Sequence, residues 1–494
     1  MKIMKKKLPV LLFAALLLGA CSRYSDYNGG YKNEAALMPE GAPFSEEAGA
    51  PDPARGENPF IEAAVTPVST FSVDADGASY AYARRSIQMG FFPSSGIIRL
   101  EEFLNYFTFD YPDPVSPETL AINAEMGACP WTPEHRLLRL GLKGKSLSAN
   151  EIPDANYILL IDVSGSMTGD DRIELLKSGL LNMLEYMRPD DRIAIITYSG
   201  KVSKLLESTL LSEGKDDIRK ALSSLKASGS TAGGEAMKMA YEEASAHYIK
   251  GGNNRIIMCT DGDFNVGVSS TEELTKMVES YQDKGIYLSI MGFGMGNYQD
   301  ARMEQLSNVG NGTYTYIDSE EEMMKVFVEE RSHLVSVAND TKCQVRFNPE
   351  VVASYRLLGY ENRLLSEEDF ENDKKDAGEI GAGQTVTALY ELVMVDDAAE
   401  EASPASFDVR YKLALGEESR ALNLEVPGTL SESENIRFAS AVAAFGLCLN
   451  NSEYKGDASF SLALELLSDA RSFDPGSHRA NLEELITRCI ALAK

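Results

Sequence analysis

The sequence predicts a doubly wound α/β domain inserted into a β-sandwich, followed by a helical C-terminal segment, and three patterns predict it. Between Asp154 and His333 four short, near-continuously apolar runs alternate with helical stretches, as buried parallel strands and their crossovers do. On both sides of this block stand alternating, β-branched segments that need strand partners, since an isolated pair is marginal. After Pro427 the apolar spacing becomes helical.

The 494 residues carry 47 Lys and Arg against 75 Asp and Glu, a net charge of −28. That balance excludes general nucleic-acid binding and a polybasic membrane surface, both of which need a basic stripe. With 44% apolar residues, the bulk of the chain has the composition of folded domains.

Taken in order, residues 1–20 read as a signal peptide. Lys2, Lys5, Lys6 and Lys7 precede an apolar stretch, Leu8 to Gly19, shorter than the ~20 residues of a spanning helix. The run closes as Leu18-Gly19-Ala20-Cys21, which resembles the lipobox of bacterial lipoproteins. The resemblance implies lipidation at Cys21 and export to the bacterial cell envelope. Ser22 replaces the Asp that signals inner-membrane retention in some such proteins, favouring an outer-membrane anchor where the organism has one. Several acyl chains on one Cys give a stable anchor, where one chain is marginal. Residues 21–66, rich in Pro, Gly and acidic residues without apolar periodicity, read as a disordered tether.

Residues 67–150 form the first flank, with a strand at Ser69–Val73, helices at Ser79–Met89 and Leu100–Phe107, and strands at Ala121–Ala128 and Leu137–Leu142. Residues 151–335 are the α/β domain, with strands at Tyr157–Val163, Arg192–Tyr198, Arg255–Thr260 and Ile286–Phe293. In Arg172–Met187 the residues Ile173, Leu176, Leu180, Leu181, Leu184 and Met187 fall on one stripe, and Pro189 ends that helix. Residues 336–428 are β-rich, with strands at Lys342–Phe347, Val351–Leu358, Thr385–Val395, Phe407–Leu415 and Ala421–Val426. They complete one sandwich with the first flank. Residues 429–494 are helical, at Ser431–Leu449, Ala458–Ser472 and Arg479–Leu492, and Ser431 to Glu434 offer capping-box chemistry to the first of these.

The chemistry sits at strand ends. Asp162-Val163-Ser164-Gly165-Ser166 follows one apolar strand, Thr260-Asp261-Gly262 ends another, and Gly229-Ser230-Thr231 precedes the helix starting near Gly234. Ligands in open α/β sheets bind outside the carboxyl ends of the strands, where such loops converge. These loops offer only oxygen, which suits a hard divalent ion and not zinc or copper. Mg²⁺ is favoured, with Mn²⁺ or Ca²⁺ as alternatives.

Asp162, Ser164, Ser166, Thr231 and Asp261 resemble the metal-ion-dependent adhesion site (MIDAS) of von Willebrand factor type A (VWA) domains, in order and approximate spacing. The resemblance implies that Ser164, Ser166 and Thr231 touch the metal, while Asp162 and Asp261 touch it or act through water. It also implies a Rossmann-like fold. Phe71 to Asp76, Arg99 to Phe103, Gly292 to Tyr298 and Asp376 to Gly383 resemble a group of bacterial exported VWA proteins over nearly all of Ser69 to Lys494. The Asp74/Asp76 pair stands at strand spacing and has two readings, a second cation site or a helix cap from Asp76.

Five cysteines remain besides Cys21. Cys448 with Cys489, on two neighbouring helices, is the favoured disulfide, and Cys129 with Cys343 is the second candidate, against all five staying reduced.

Three functional classes follow. The first is a metal-dependent module that accepts an exposed Asp or Glu of a protein partner. The second is a non-catalytic structural or assembly scaffold of an envelope complex. The third, a serine hydrolase, lacks a Gly-x-Ser-x-Gly elbow, and His135, His247, His333 and His478 lie outside every motif, so no base or other catalytic residue is evident. The densest negative charge, Glu361 to Glu401, belongs to the flanking β-domain, which favours a partner surface that is neutral or basic.

Overall fold

The computed structural model describes residues 56–494 other than 230–233, 263–270, 282–283, 296–299 and 400. The first flank supplies β1 (Ile61–Glu62), β2 (Val68–Ser72), α1 (Ala78–Gln88), α2 (Leu100–Asn105), β3 (Leu120–Ala128) and β4 (Arg136–Gly144). The middle block supplies β5 (Ala155–Asp162), α3 (Leu175–Tyr186), β6 (Arg192–Tyr198), β7 (Val202–Leu210), α4 (Leu211–Ser223) and α5 (Gly234–Ala246). It continues with β8 (Asn253–Thr260), α6 (Thr271–Glu279), β9 (Tyr287–Phe293), α7 (Asp300–Val309), β10 (Tyr314–Ile317) and α8 (Glu320–Met324). The last third supplies β11 (Ser336–Phe347), β12 (Val352–Leu358), β13 (Leu364–Leu365), α9 (Glu367–Glu371), β14 (Gly378–Gly381), β15 (Thr385–Met394), β16 (Ala405–Lys412) and β17 (Arg420–Glu425). The helices α10 (Glu434–Leu449), α11 (Phe460–Ser468) and α12 (His478–Leu492) follow.

Every residue of β5 is buried because helices cover both faces of its sheet. Ile158 and Leu160 enter one core, with Ala236 and Met237 of α5, while Leu159 and Ile161 enter the other, with Leu176 and Leu180 of α3. The strand order among the described residues is β10-β9-β8-β5-β6-β7, parallel except for β7. The sequence reading lacks β7 and β10. Lys204 and Glu207 leave the edge strand β7 half-exposed and polar, and β10 has four residues, too few to show a period.

Two antiparallel sheets form the sandwich, ordered β1-β12-β15-β4-β3 and β13-β2-β11-β16-β17, with β14 also pairing with β11. The flanks interleave as the alternation predicts: β4 pairs with β15, and β2 pairs with β11. Leu138, Leu140 and Leu142 of β4 share one core with Val345 and Phe347 of β11 and Phe407 of β16. The outer face of the first sheet, through Leu137 and Leu389, packs under α10, α11 and α12. Burying each such side chain is worth about 1.5–3 kcal/mol.

Helix α1 joins the parts because it has no single apolar stripe. Ala78, Ala81 and Tyr82 face the core of the α/β domain, while Tyr80, Ala83 and Ile87 face the C-terminal helices. Asp76 does not cap it, which corrects the capping expectation. Asp76 Oδ1 instead accepts the Tyr314 N–H at 2.9 Å, and Glu102 Oε2 accepts the Ser79 N–H at 2.7 Å in the first turn.

Two further expectations are corrected. Ser433, not Ser431, caps α10 by accepting the Ile436 N–H, and no capping box forms because the residue three beyond this cap is Ile436, which has no carboxylate; Glu434 instead accepts from the Phe473 N–H and Arg479. The five cysteines are free thiols in the structure. Cys129 lies in the helical core and Cys343 in the sandwich core, so that pair is not placed to bridge. Cys448 and Cys489 stand on α10 and α12 as read, but unbonded; burial, with Cys448 adding, pushes the Cys489 thiol up to about 12.

Candidate metal centre

The carboxyl ends of β5 and β8 bring Asp162, Ser164, Ser166 and Asp261 together. Asp162 ends β5, fully buried, and its Oδ1 accepts the Ser164 N–H at 2.8 Å, which folds the following loop back over the strand end. That turn places the Ser164 and Ser166 hydroxyls 2.9 Å apart. Ser228 N–H donates to Val163 O at 2.6 Å and Gly165 N–H to Gly229 O at 2.9 Å, stitching the neighbouring loop to the same turn. Thr231, two residues beyond Gly229, lies outside the described residues, as does Cys21. Asp261 follows β8 and is 6% exposed.

Two residues at the site escape sequence reasoning. Thr260 ends β8, and its hydroxyl donates to Asp162 Oδ2 at 3.4 Å while accepting the Gly262 N–H at 3.2 Å. The Thr-Asp-Gly run contains this signal, but the motif directs attention to Asp261. Arg172 comes from the π-helical turn Asp170–Glu174 ahead of α3. Its Nε stands 3.9 Å from Asp261 Oδ2, and its Nη2 donates to Met295 O at 3.2 Å. No spacing in the sequence marks it. Gly294, at φ +73°, makes room: a Cβ there would stand 2.2 Å from Arg172 Nε. Gly296 lies outside the described residues.

The donor chemistry fits a hard divalent ion. Burial, with Asp261 adding, pushes the Asp162 carboxyl up to about 6 despite the Ser164 N–H and hydroxyl. A buried carboxyl beside a second carboxylate, with two hydroxyls turned toward each other, is a set of oxygens that a cation would satisfy. Among the described residues no three His, Cys, Asp or Glu side chains converge as a metal-holding group, so the site is hydroxyl-rich and not a carboxylate cage. The four histidines pair with carboxylates elsewhere: His135 with Glu391, His247 with Glu243, His333 with Glu330 and His478 with Glu329.

The fold and this strand-end site define a von Willebrand factor type A protein, and residues 156–330 match the family described as von Willebrand factor type A domain. Residues 53–139 match a family described as von Willebrand factor, and residues 332–492 match "Uncharacterized protein YfbK, C-terminal". The chain is 38% identical over 456 residues to "Uncharacterized protein YfbK" of Escherichia coli strain K12, covering 87% of this chain and 79% of that protein. It therefore belongs to the YfbK family of VWA proteins. "Uncharacterized protein sll0103" of Synechocystis is 29% identical over 195 residues, 39% of this chain and 44% of that one. The solved von Willebrand factor type A structure from Catenulispora acidiphila aligns with 75% of this chain and 90% of its own, at 13% identity and a TM-score of 0.42. VWA domains generally mediate protein–protein interactions and commonly hold a divalent metal in a MIDAS.

Proposed function

We propose that this chain is a lipid-anchored protein of the bacterial cell envelope that binds a protein partner through a divalent ion, Mg²⁺ by preference. Asp162, Ser164, Ser166, Thr231 and Asp261 hold the ion, which supplies a Lewis-acidic position for an Asp or Glu of the partner. The convergence of the Asp162 carboxylate with the paired Ser164 and Ser166 hydroxyls at the strand ends carries this reading. The chain's own residues hold the hydroxyls in place: the Ser164 N–H orients Asp162, and the Thr260 hydroxyl restrains its other oxygen. Arg172 offsets the charge of Asp261 when no ion is present. The basic leader, its apolar run and Cys21 support anchoring, and the chain's net charge of −28 supports a neutral or basic partner surface.

Crosslinking in intact cells tests the reading, comparing wild type with Ser164→Ala, each with and without chelator. Partners recovered from wild type and lost in the other three samples support it. The same partners in all four samples refute metal-mediated capture.

A further inference from the structure

A cavity of about 220 Å³ lies where the sandwich meets the end of the central sheet opposite the metal loops, beside Gly312 and Thr313 ahead of β10. Its walls carry Asp74 and Asp76 from the segment after β2, Arg363 beside β13, and Asp376 and Glu379 from the approach to β14 and its start. Arg363 is already engaged: its Nε donates to Asp74 Oδ2 at 2.9 Å, and its Nη2 to Glu304 Oε1 and Asn308 Oδ1, both at 3.2 Å. Asp76 is 3% exposed, and its Oδ2 has no hydrogen-bond partner, its ion pair with Arg363 Nη2 spanning 3.8 Å. Glu379 Oε1 is likewise buried without a hydrogen-bond partner. Burial first, then Asp74, raises the Asp76 carboxyl well above its usual range; burial, then Asp376 and Asp340, does the same to Glu379. Of the two basic residues that line the cavity, Arg363 is engaged as described and Lys375 is exposed, so neither Asp76 Oδ2 nor Glu379 Oε1 has a hydrogen-bonding cation.

We propose that this cavity binds a primary ammonium group carried on an alkyl chain, with Asp76 Oδ2 and Glu379 Oε1 as acceptors. A metal is disfavoured because no three carboxylates converge among the described residues. A guanidinium is disfavoured because its planar fork needs one carboxylate presented edge-on, and the open oxygens belong to different carboxylates on different segments. An ammonium has three divergent donors and meets them without that constraint. Val73, Leu364 and Leu365 also line the cavity, with Leu364 49% exposed, and provide an apolar path for the methylene stem. A free amine and a partner's lysine side chain share this chemistry.

Titration calorimetry on the full chain tests the proposal, in chelator so that the metal centre is silent. The probes are 1,4-diaminobutane, Nα-acetyl-lysine amide and the neutral 1,4-butanediol. Saturable binding of the diamine without the lysine amide supports a free amine, and equal binding of both supports a lysine side chain. Glu379→Gln should weaken binding roughly 10- to 100-fold, as expected when a charged acceptor is lost. Leu364→Lys, at a half-exposed position, should weaken it by placing a competing ammonium at the mouth. Absence of binding by both amines, equal binding of the diol, or unchanged affinity in both variants overturns the proposal.

Discussion

Replacing Arg84 with Ala should loosen the α/β domain from its flanks, because one guanidinium on α1 satisfies two buried carboxylates of that domain. Its Nε and Nη2 bond Asp318 at 2.8 and 2.5 Å, Nη2 also bonds Glu322 at 2.7 Å, and Nη1 donates to Tyr106 Oη at 2.6 Å. The Asp318 and Glu322 side chains are 2% exposed and Arg84 13%, so water replaces little of what is lost. Removing one partner of a buried pair costs about 3–5 kcal/mol, against a total domain stability of about 5–15 kcal/mol. Urea unfolding of the full chain offers two probes, since urea does not screen ion pairs. Trp131, the single tryptophan, is buried in the core with α10 to α12, while far-UV circular dichroism samples the whole molecule. In Arg84→Ala the dichroism transition should begin at lower urea and separate from the Trp131 transition. Arg84→Lys should recover part of the loss, because a point charge does not reproduce the fork to Asp318. Adding Asp318→Asn and Glu322→Gln to Arg84→Ala should recover more, because no buried charge is then left alone. A shift below about 1 kcal/mol with coincident transitions would refute the idea that this network couples the parts.

Two other perturbations give distinct readouts. Thr260→Val removes the hydroxyl behind Asp162 and should weaken Mg²⁺ binding about 10- to 100-fold by calorimetry, as loss of a group orienting a metal ligand does; unchanged affinity would remove Thr260 from the site. Glu101 is fully buried, neither carboxyl oxygen has a hydrogen-bond partner, and burial, then Glu361 and Asp74, pushes it up to about 8. A carboxyl raised on folding contributes stability that is present below its unfolded value near 4.3 and lost as pH rises through about 8. Glu101→Gln should flatten that decline and gain on the order of 2–4 kcal/mol at pH 9 relative to pH 4, measured as urea midpoints; an unchanged slope would show that Glu101 is not its source.

The parts legible in the sequence are those whose signal is local and periodic. The alternation in Leu138, Leu140 and Leu142 needed a covering sheet, and Val345, Phe347 and Phe407 provide it. The Asp162 to Ser166 turn was legible because its defining bond spans two residues. What escaped depends on partners far away in the chain. Asp76 stands one residue ahead of the Gly77 cap position, but Tyr314, 238 residues on, takes its carboxylate. Arg172 reaches Met295 only because α3 and the end of β9 meet at the metal face. The second disulfide candidate missed for the same reason: Cys129 and Cys343 fall in cores on opposite sides of one sheet.

Those distant contacts also explain why a binding face at one end of the α/β domain need not swing freely on its flanks. Helix α1 has 11 residues and is about 16 Å long at 1.5 Å per residue, so it spans much of the height of the central sheet. Just ahead of its start, Asp76 holds the beginning of β10; near its end, Arg85 bonds Asp171 at 2.6 Å. Asp171 lies 3.8 Å from Arg172 Nη1, and Arg172 Nε lies 3.9 Å from Asp261. A chain of alternating charges thus runs from α1 to the predicted metal residues, while the other face of α1 is packed into the C-terminal helices. Charge changes at Asp261 are therefore felt first by Arg172, then by Asp171 and Arg85, side chains that are 16–34% exposed. Because each link beyond Asp261 is partly solvated, its worth is modest, about 1 kcal/mol or less. The packing of Tyr80, Ala83 and Ile87, and not the ionic chain, fixes how α1 sits against the C-terminal helices; the ionic chain ends where Arg172 meets Asp261.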